Sequence, residues 1–100
     1  MTQPHSSESA RLHVWVSGRV QAVGFRAFVE QIAFRLGLSG WVRNVGDDGV
    51  ETVAEGHRSA LEHFLEEVRR GPRASHVDKV IVEWETATGE FRYFDVKPSI

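Results

Sequence analysis

Cysteine is absent from the chain, which removes disulfide staples, thiolate metal ligands and nucleophilic thiols together and suits a protein with no need of an oxidising compartment. No apolar run approaches the ~20 residues that cross a bilayer, and the opening Met1 to Ala10 is polar, unlike a secretory leader. The cytosol is the expected location, with no membrane partner. A basic surplus is missing too: 12 Lys and Arg stand against 14 Asp and Glu, a formal charge of -2. Proteins that grip a nucleic-acid backbone normally carry the opposite balance on one face, so no nucleic-acid partner is expected. Nor is there a histidine pair at the three- or four-residue spacing that would converge on a metal from a helix. His5, His13, His57, His63 and His76 are scattered, and neither a metal site nor a cofactor is expected.

What is present is an ordinary globular balance. The 100 residues are 41% hydrophobic and 26% charged, enough for one core and too short for two. Residues 1–9, MTQPHSSES, hold nothing apolar after Met1 and read as a loose polar tail, because such a composition cannot offset its ordering entropy. Residues 10–100 read as the single domain.

The domain opens with period-2 alternation. Leu12, Val14 and Val16 interleave with His13, Trp15 and Ser17, the mark of a strand with one buried face. Phe25, Phe28, Val29, Ile32, Ala33 and Leu36 then recur at steps of three and four until Gly37, which predicts a helix. Runs 40–45 and 49–55 read as two strands joined by a turn at Gly46, Asp47 and Asp48. A second amphipathic helix carries Leu61, Phe64, Leu65 and Val68 on one stripe, with Ser59 and Glu62 as a candidate capping box and Gly71-Pro72 as its end. Runs 77–85 and 91–97 complete the strands, joined through Thr88-Gly89. The order is βαββαβ plus one strand. Each helix has one apolar stripe to bury, and right-handed crossovers put both on the same face of a mostly antiparallel sheet. The expected fold is therefore a ferredoxin-like α+β sandwich, with strand order 4-1-3-2 and the extra C-terminal strand at an edge.

This architecture serves many functions, so function has to come from a site. The most unusual stretch is the connection from first strand to first helix, where Gly18 and Gly24 bracket Arg19 to Val23 and Arg26 falls in the helix's first turn. A helix N-terminus has unpaired amides and partial positive charge, so a loop wrapped before it can cradle an anion. Arg26 adds a planar charged fork for two phosphate oxygens. By itself the spacing fits a tight turn with a solvated surface arginine better than it fits a cradle.

The residues Gly18-Arg19-Val20-Gln21-Ala22-Val23-Gly24-Phe25-Arg26 resemble the phosphate loop of the acylphosphatase family, G-x-V-Q-G-V-x-F-R, with Ala22 the one departure. Gly40-Trp41-Val42-Arg43-Asn44, followed by Val50 and Gly56, is similar to that family's second signature, although its later glycine appears one position further on, at Gly49, with Asp48 in its place. The likeness runs over residues 10–97. It implies a metal-independent hydrolase of acyl phosphates. The backbone amides of Val20, Gln21, Ala22, Val23 and Gly24 and the Arg26 guanidinium would hold the phosphoryl group, and Asn44 would orient the attacking water. Inorganic phosphate would be product and inhibitor, and a monomer is expected.

Rival readings are weaker. An RNA-recognition module of the same strand order needs aromatic residues on its third strand, where this chain has Gly49 to Glu55 with two acids and no aromatic. Asp47 and Asp48 read as turn residues, Glu66 and Glu67 as a solvated face, and Trp41 and Trp84 as packing against the sheet. A non-catalytic anion-binding module, or an accessory domain of a larger enzyme, is the remaining alternative. Having both Arg26 and Asn44, with no further domain following, favours a free-standing enzyme.

Overall fold

Alternation in the first strand sets the layout of the molecule. In the computed structural model, which describes residues 8–100, Leu12, Val14 and Val16 of β1 (Ser9–Arg19) point to one side and are almost wholly buried, while His13 and Trp15 point to the other. β1 lies second in a five-stranded sheet of order β4-β1-β3-β2-β5, with β2 Ser39–Val45, β3 Gly49–His57, β4 His76–Glu85 and β5 Phe94–Val96. The four main strands follow the expected order 4-1-3-2. All their pairings are antiparallel, and only β5 runs parallel, beside β2.

Helices α1 (Phe25–Arg35) and α2 (Arg58–Arg70) cover one face. Phe25, Val29, Ile32 and Ala33 from α1 and Leu61, Phe64 and Val68 from α2 join the β1 row, Val42, Val50 and Ala54 in one buried cluster. These positions are the apolar stripes of both helices, and their removal from water supplies most of the fold's stabilisation. Gly37 ends α1 as expected: at φ 70° it lets Leu38 N donate to Ala33 O at 2.8 Å and its own N to Phe34 O at 3.2 Å, a left-handed helix stop.

Three local expectations are revised. The Ser59–Glu62 capping box does not form, because β3 runs straight into α2 with His57 as N-cap, which leaves Ser59 already inside the helix. The amide of Arg58 is met instead by Glu8 O at 2.8 Å. Of the expected 1–9 tail, residues 1–7 lie outside the described residues, and Ser9 opens β1. Thr88-Gly89 does not close a hairpin, since β4 and β5 sit at opposite edges and the link must cross the end of the sheet. There Thr88 N, Thr88 Oγ1 and Gly89 N donate to the Glu55 carboxylate at 2.9, 3.1 and 3.0 Å.

Glu55 is one of two acids buried on the helix-free face. Arg11 Nε lies 3.2 Å from it. Glu51, the other, accepts from His13 Nε2 at 2.7 Å and from Arg43 Nε at 2.8 Å. Burial pushes both carboxyls upward, but hydrogen bonds and the neighbouring cations outweigh it and hold both below the ordinary value. Trp41 has two cations against its ring: the Arg43 guanidinium and the Lys97 ammonium each lie 4.7 Å from its centroid.

Candidate active site

Near its end the first strand bulges at a point only glycine can occupy. Pairing with β4 slips between Ser17 and Gly18, and at Gly18, φ 134°, a Cβ would lie 2.3 Å from His76 O. Gly18 N then donates to Asp48 O at 3.1 Å, tying the loop's foot to the β2–β3 turn. Val20 drops its side chain fully into the core. The next side chain goes the other way. Gln21 Nε2 donates to Val45 O at 3.2 Å, Gly46 O at 2.9 Å and Gly49 O at 2.8 Å, latching the loop to the hairpin that carries Asn44.

Ala22 follows with φ 60°, and it is the one non-glycine residue with positive φ among the described residues. The loop therefore takes a left-handed step at an alanine, where glycine would carry no steric cost. Gly24, φ 78°, is the N-cap of α1, with no side-chain cap bond and no acid in the first turn. The partial positive charge of the helix start is thus not offset by an acid of its own first turn.

Asn44 sits two residues beyond buried Val42 on β2 and so faces the helix side, toward the start of α1. A hollow of about 300 Å³ opens there, bordered by Val20, Ala22, Gly24, Arg26 and Asn44 together. Of the residues singled out from sequence, Gln21 and Val23 are not on its lining: Gln21 is engaged with the hairpin, and Val23 packs against the core. Four further lining residues, Phe25, Ala27, Glu30 and Val96, were not singled out for the site. Glu30 was legible as the residue one helical turn after Arg26, whereas Val96 reaches the hollow only through the β2–β5 pairing.

The shifted glycine of the second signature also has an explanation. Residues 46–48 form the turn, with Gly46 at φ 60°. Gly49 belongs to β3 opposite Val45, and a Cβ there would lie 2.8 Å from Val45 O.

The histidines are less isolated than their spacing suggests. On the helix-free face, His13 comes together with Glu83 and Glu85 of β4, their ligand atoms within 4.8 Å of one another. Those three residues could hold a cation, on the opposite side of the sheet from the hollow.

Compared with known proteins, the acylphosphatase family model matches residues 12–96, most of the chain. The chain belongs to the acylphosphatase family. An acylphosphatase of Roseiflexus sp. (strain RS-1) is 47% identical over 89 residues, covering 89% of this chain and 96% of that one. Among solved structures, acylphosphatase from Bacillus subtilis superposes with a TM-score of 0.84 at 38% identity, covering 88% of this chain and 98% of its own. An acylphosphatase from Coxiella burnetii gives the same TM-score at 37% identity, with 97% and 100% covered. These acylphosphatases share the sandwich as a whole, so the hollow lies in a shared scaffold.

Proposed function

We propose that this member of the family hydrolyses acyl phosphates to a carboxylate and inorganic phosphate in the hollow between the α1 N-terminus and β2. The observation that carries the reading is the meeting of Arg26 and Asn44 across one small opening at an uncapped helix start. Arg26 and the backbone amides of residues 20–24 hold the phosphoryl oxygens. Two kinds of donor act here, a planar guanidinium that matches two oxygens and fixed main-chain dipoles that need no reorganisation. Asn44 offers both a donor and an acceptor and orients the water for in-line attack on phosphorus. A carboxamide is no base at neutral pH, so its role is placement.

The P–O bond to the acyl oxygen breaks as the water oxygen bonds to phosphorus. The leaving group is a carboxylate, weakly basic enough to depart without a proton donor, and the loose transition state asks chiefly for positioning and charge stabilisation. Arg26, on the lining of the hollow, supplies the second of these, and the Gln21 latch holds the loop for the first. We read the working unit as one chain, with inorganic phosphate as a competitive inhibitor occupying the cradle.

The test is phosphate release from benzoyl phosphate in the presence of a chelator, beside the same assay with p-nitrophenyl phosphate. Turnover of the first with little of the second is expected. Activity lost in chelator and restored by a divalent ion overturns the metal-independent mechanism. Phosphate binding with no turnover of benzoyl phosphate leaves a non-catalytic anion-binding module.

A further inference from the structure

The hollow does not stand alone. Arg26, Glu30 and Phe34 fall at successive four-residue steps on α1, a ridge along one side of the helix advancing about 6 Å per step. Phe94 and Val96 fall at a two-residue step on β5 and so share one face. The helix ridge and this strand face each other across a trough. Its upper end is the phosphate hollow, lined by Arg26, Glu30 and Val96. Its lower end is a second, larger cleft of about 620 Å³, lined by Glu30, Phe34, Leu38, Tyr93 and Phe94 among others. Glu30 borders both openings.

The lower cleft is largely apolar. Phe34 is 86% exposed and Tyr93 65% exposed, an unusual outlay of aromatic surface for a chain of this size. Leu38 and Phe94 supply a packed floor, Leu38 buried and Phe94 set edge-on to buried Phe64 with ring centroids 6.4 Å apart. Its volume falls in the range of ordinary ligand pockets, which combine apolar walls with few polar groups. Gly40 N donates to Tyr93 O at 3.0 Å, so the segment carrying Tyr93 is fixed to β2.

We propose that this cleft is the acyl-group subsite of the enzyme and that it selects acyl phosphates with apolar, uncharged acyl chains long enough to pass Glu30 and reach Phe34 and Tyr93. The inference rests on the hydrolytic reading above, because the phosphoryl group anchored at Arg26 is what aims the acyl chain down the trough. Adjacency argues for this occupant: Glu30 lines both openings, so a chain that leaves the hollow along the α1 ridge meets the apolar wall of the cleft next. Glu30 adds discrimination, since a carboxylate at the junction repels acyl groups that carry their own negative charge and leaves neutral chains unaffected. Burial of a few methylenes against Phe34 and Leu38 acts on binding, so the preference is read mainly in KM.

The experiment compares kcat/KM for acetyl, octanoyl and succinyl phosphate in the wild-type enzyme and in Phe34→Ser, Tyr93→Ser and Glu30→Gln. Inorganic phosphate inhibition reports on the cradle throughout. Octanoyl phosphate is expected to exceed acetyl phosphate by about tenfold or more, chiefly through a lower KM. Phe34→Ser and Tyr93→Ser should each reduce that ratio several-fold, and Glu30→Gln should raise succinyl relative to acetyl phosphate. Both aromatic rings are largely exposed, so these variants retain the core. Equal kcat/KM for acetyl and octanoyl phosphate overturns the subsite while leaving the hydrolysis standing. A preference for octanoyl phosphate that survives both aromatic substitutions also overturns it, by placing the chain elsewhere. Sedimentation of the same samples covers the remaining occupant: a wild-type dimer that Phe34→Ser dissociates assigns the cleft to a second copy. No turnover of any of the three overturns the hydrolysis itself, and the subsite with it.

Discussion

Ala22 and Gly24, two residues apart in the loop before α1, both hold left-handed backbone, at φ 60° and 78°. Glycine takes that conformation at no steric cost, whereas alanine carries its Cβ too close to the following carbonyl oxygen, at roughly 1–2 kcal/mol. Ala22→Gly is therefore expected to stabilise the fold by about 1 kcal/mol, less what glycine's freer unfolded chain takes back. Phosphate should bind at least as tightly. Thermal unfolding and phosphate titration check this, and a fall in both would mean that the alanine rests there without strain.

Arg26 and Asn44 should fail differently. Arg26→Ala removes a charge-assisted contact present in both the bound and the transition state, so turnover should drop by ~10² or more and phosphate inhibition should weaken with it. Arg26→Lys should recover little, because an ammonium cannot reproduce the planar fork. Asn44→Ala should cut turnover by a similar order with phosphate inhibition nearly unchanged. Steady-state kinetics on benzoyl phosphate with phosphate as inhibitor separates the two, and near-normal turnover in Asn44→Ala would remove its assigned role.

Gln21 binds the loop to three carbonyl oxygens of the β2–β3 hairpin. Gln21→Ala should lower stability by about 1–2 kcal/mol and kcat/KM by about tenfold, as the cradle loses its hold on the strand carrying Asn44. Gln21→Glu should be worse than alanine, since a carboxylate would face carbonyl oxygens with nothing to donate. Urea denaturation and kinetics on both variants decide it; a glutamate variant better than alanine would show that the donated bonds are not what matters.

Stability should fall in acid. Glu51 and Glu55 both have carboxyls held below their ordinary value in the folded state. Their contribution is complete above the unfolded carboxyl range near pH ~4.3, and it is lost as pH falls through the lower folded values. Urea midpoints should hold steady from pH 7 to about 5 and then decline toward pH 3. Glu55→Gln should start lower at neutral pH and show a shallower acid limb. A decline equally steep in that variant would assign the acid sensitivity to other groups.

Much of this could be read from the chain because local patterns and tertiary needs agree. The alternation of Leu12, Val14 and Val16 and the helical spacing of Val29, Ile32 and Ala33 each report the single face that packing then buries. The loop before α1 was visible for a related reason: Gly18 and Gly24 stand where no side chain, or only a left-handed backbone, is allowed. What stayed hidden depends on partners remote in sequence. Nothing near Gln21 announces three acceptors more than twenty residues away. Glu51 and Glu55 look like solvated strand residues until His13, Arg43 and the Thr88 amide converge on them. Thr88-Gly89 carried turn chemistry, and the same residues instead grip a carboxylate.

The brevity of β5 protects the sheet at the edge nearest the hollow. Without it β2 would present a row of unpaired amides and carbonyls beside Asn44, a template that another chain could extend. β5 covers that row with only Phe94–Val96, and Lys97 N and Ile100 N carry the cover on to Val42 O and Asn44 O at 2.8 and 3.0 Å. Pro98, between them, has no N–H to offer outward. The opposite edge, β4, is studded with Asp78, Lys79, Glu83 and Glu85, charges that discourage strand-to-strand docking. An incoming β-strand thus finds little ladder to extend on either side, and the molecule stays out of the edge-to-edge pairing from which aggregates grow.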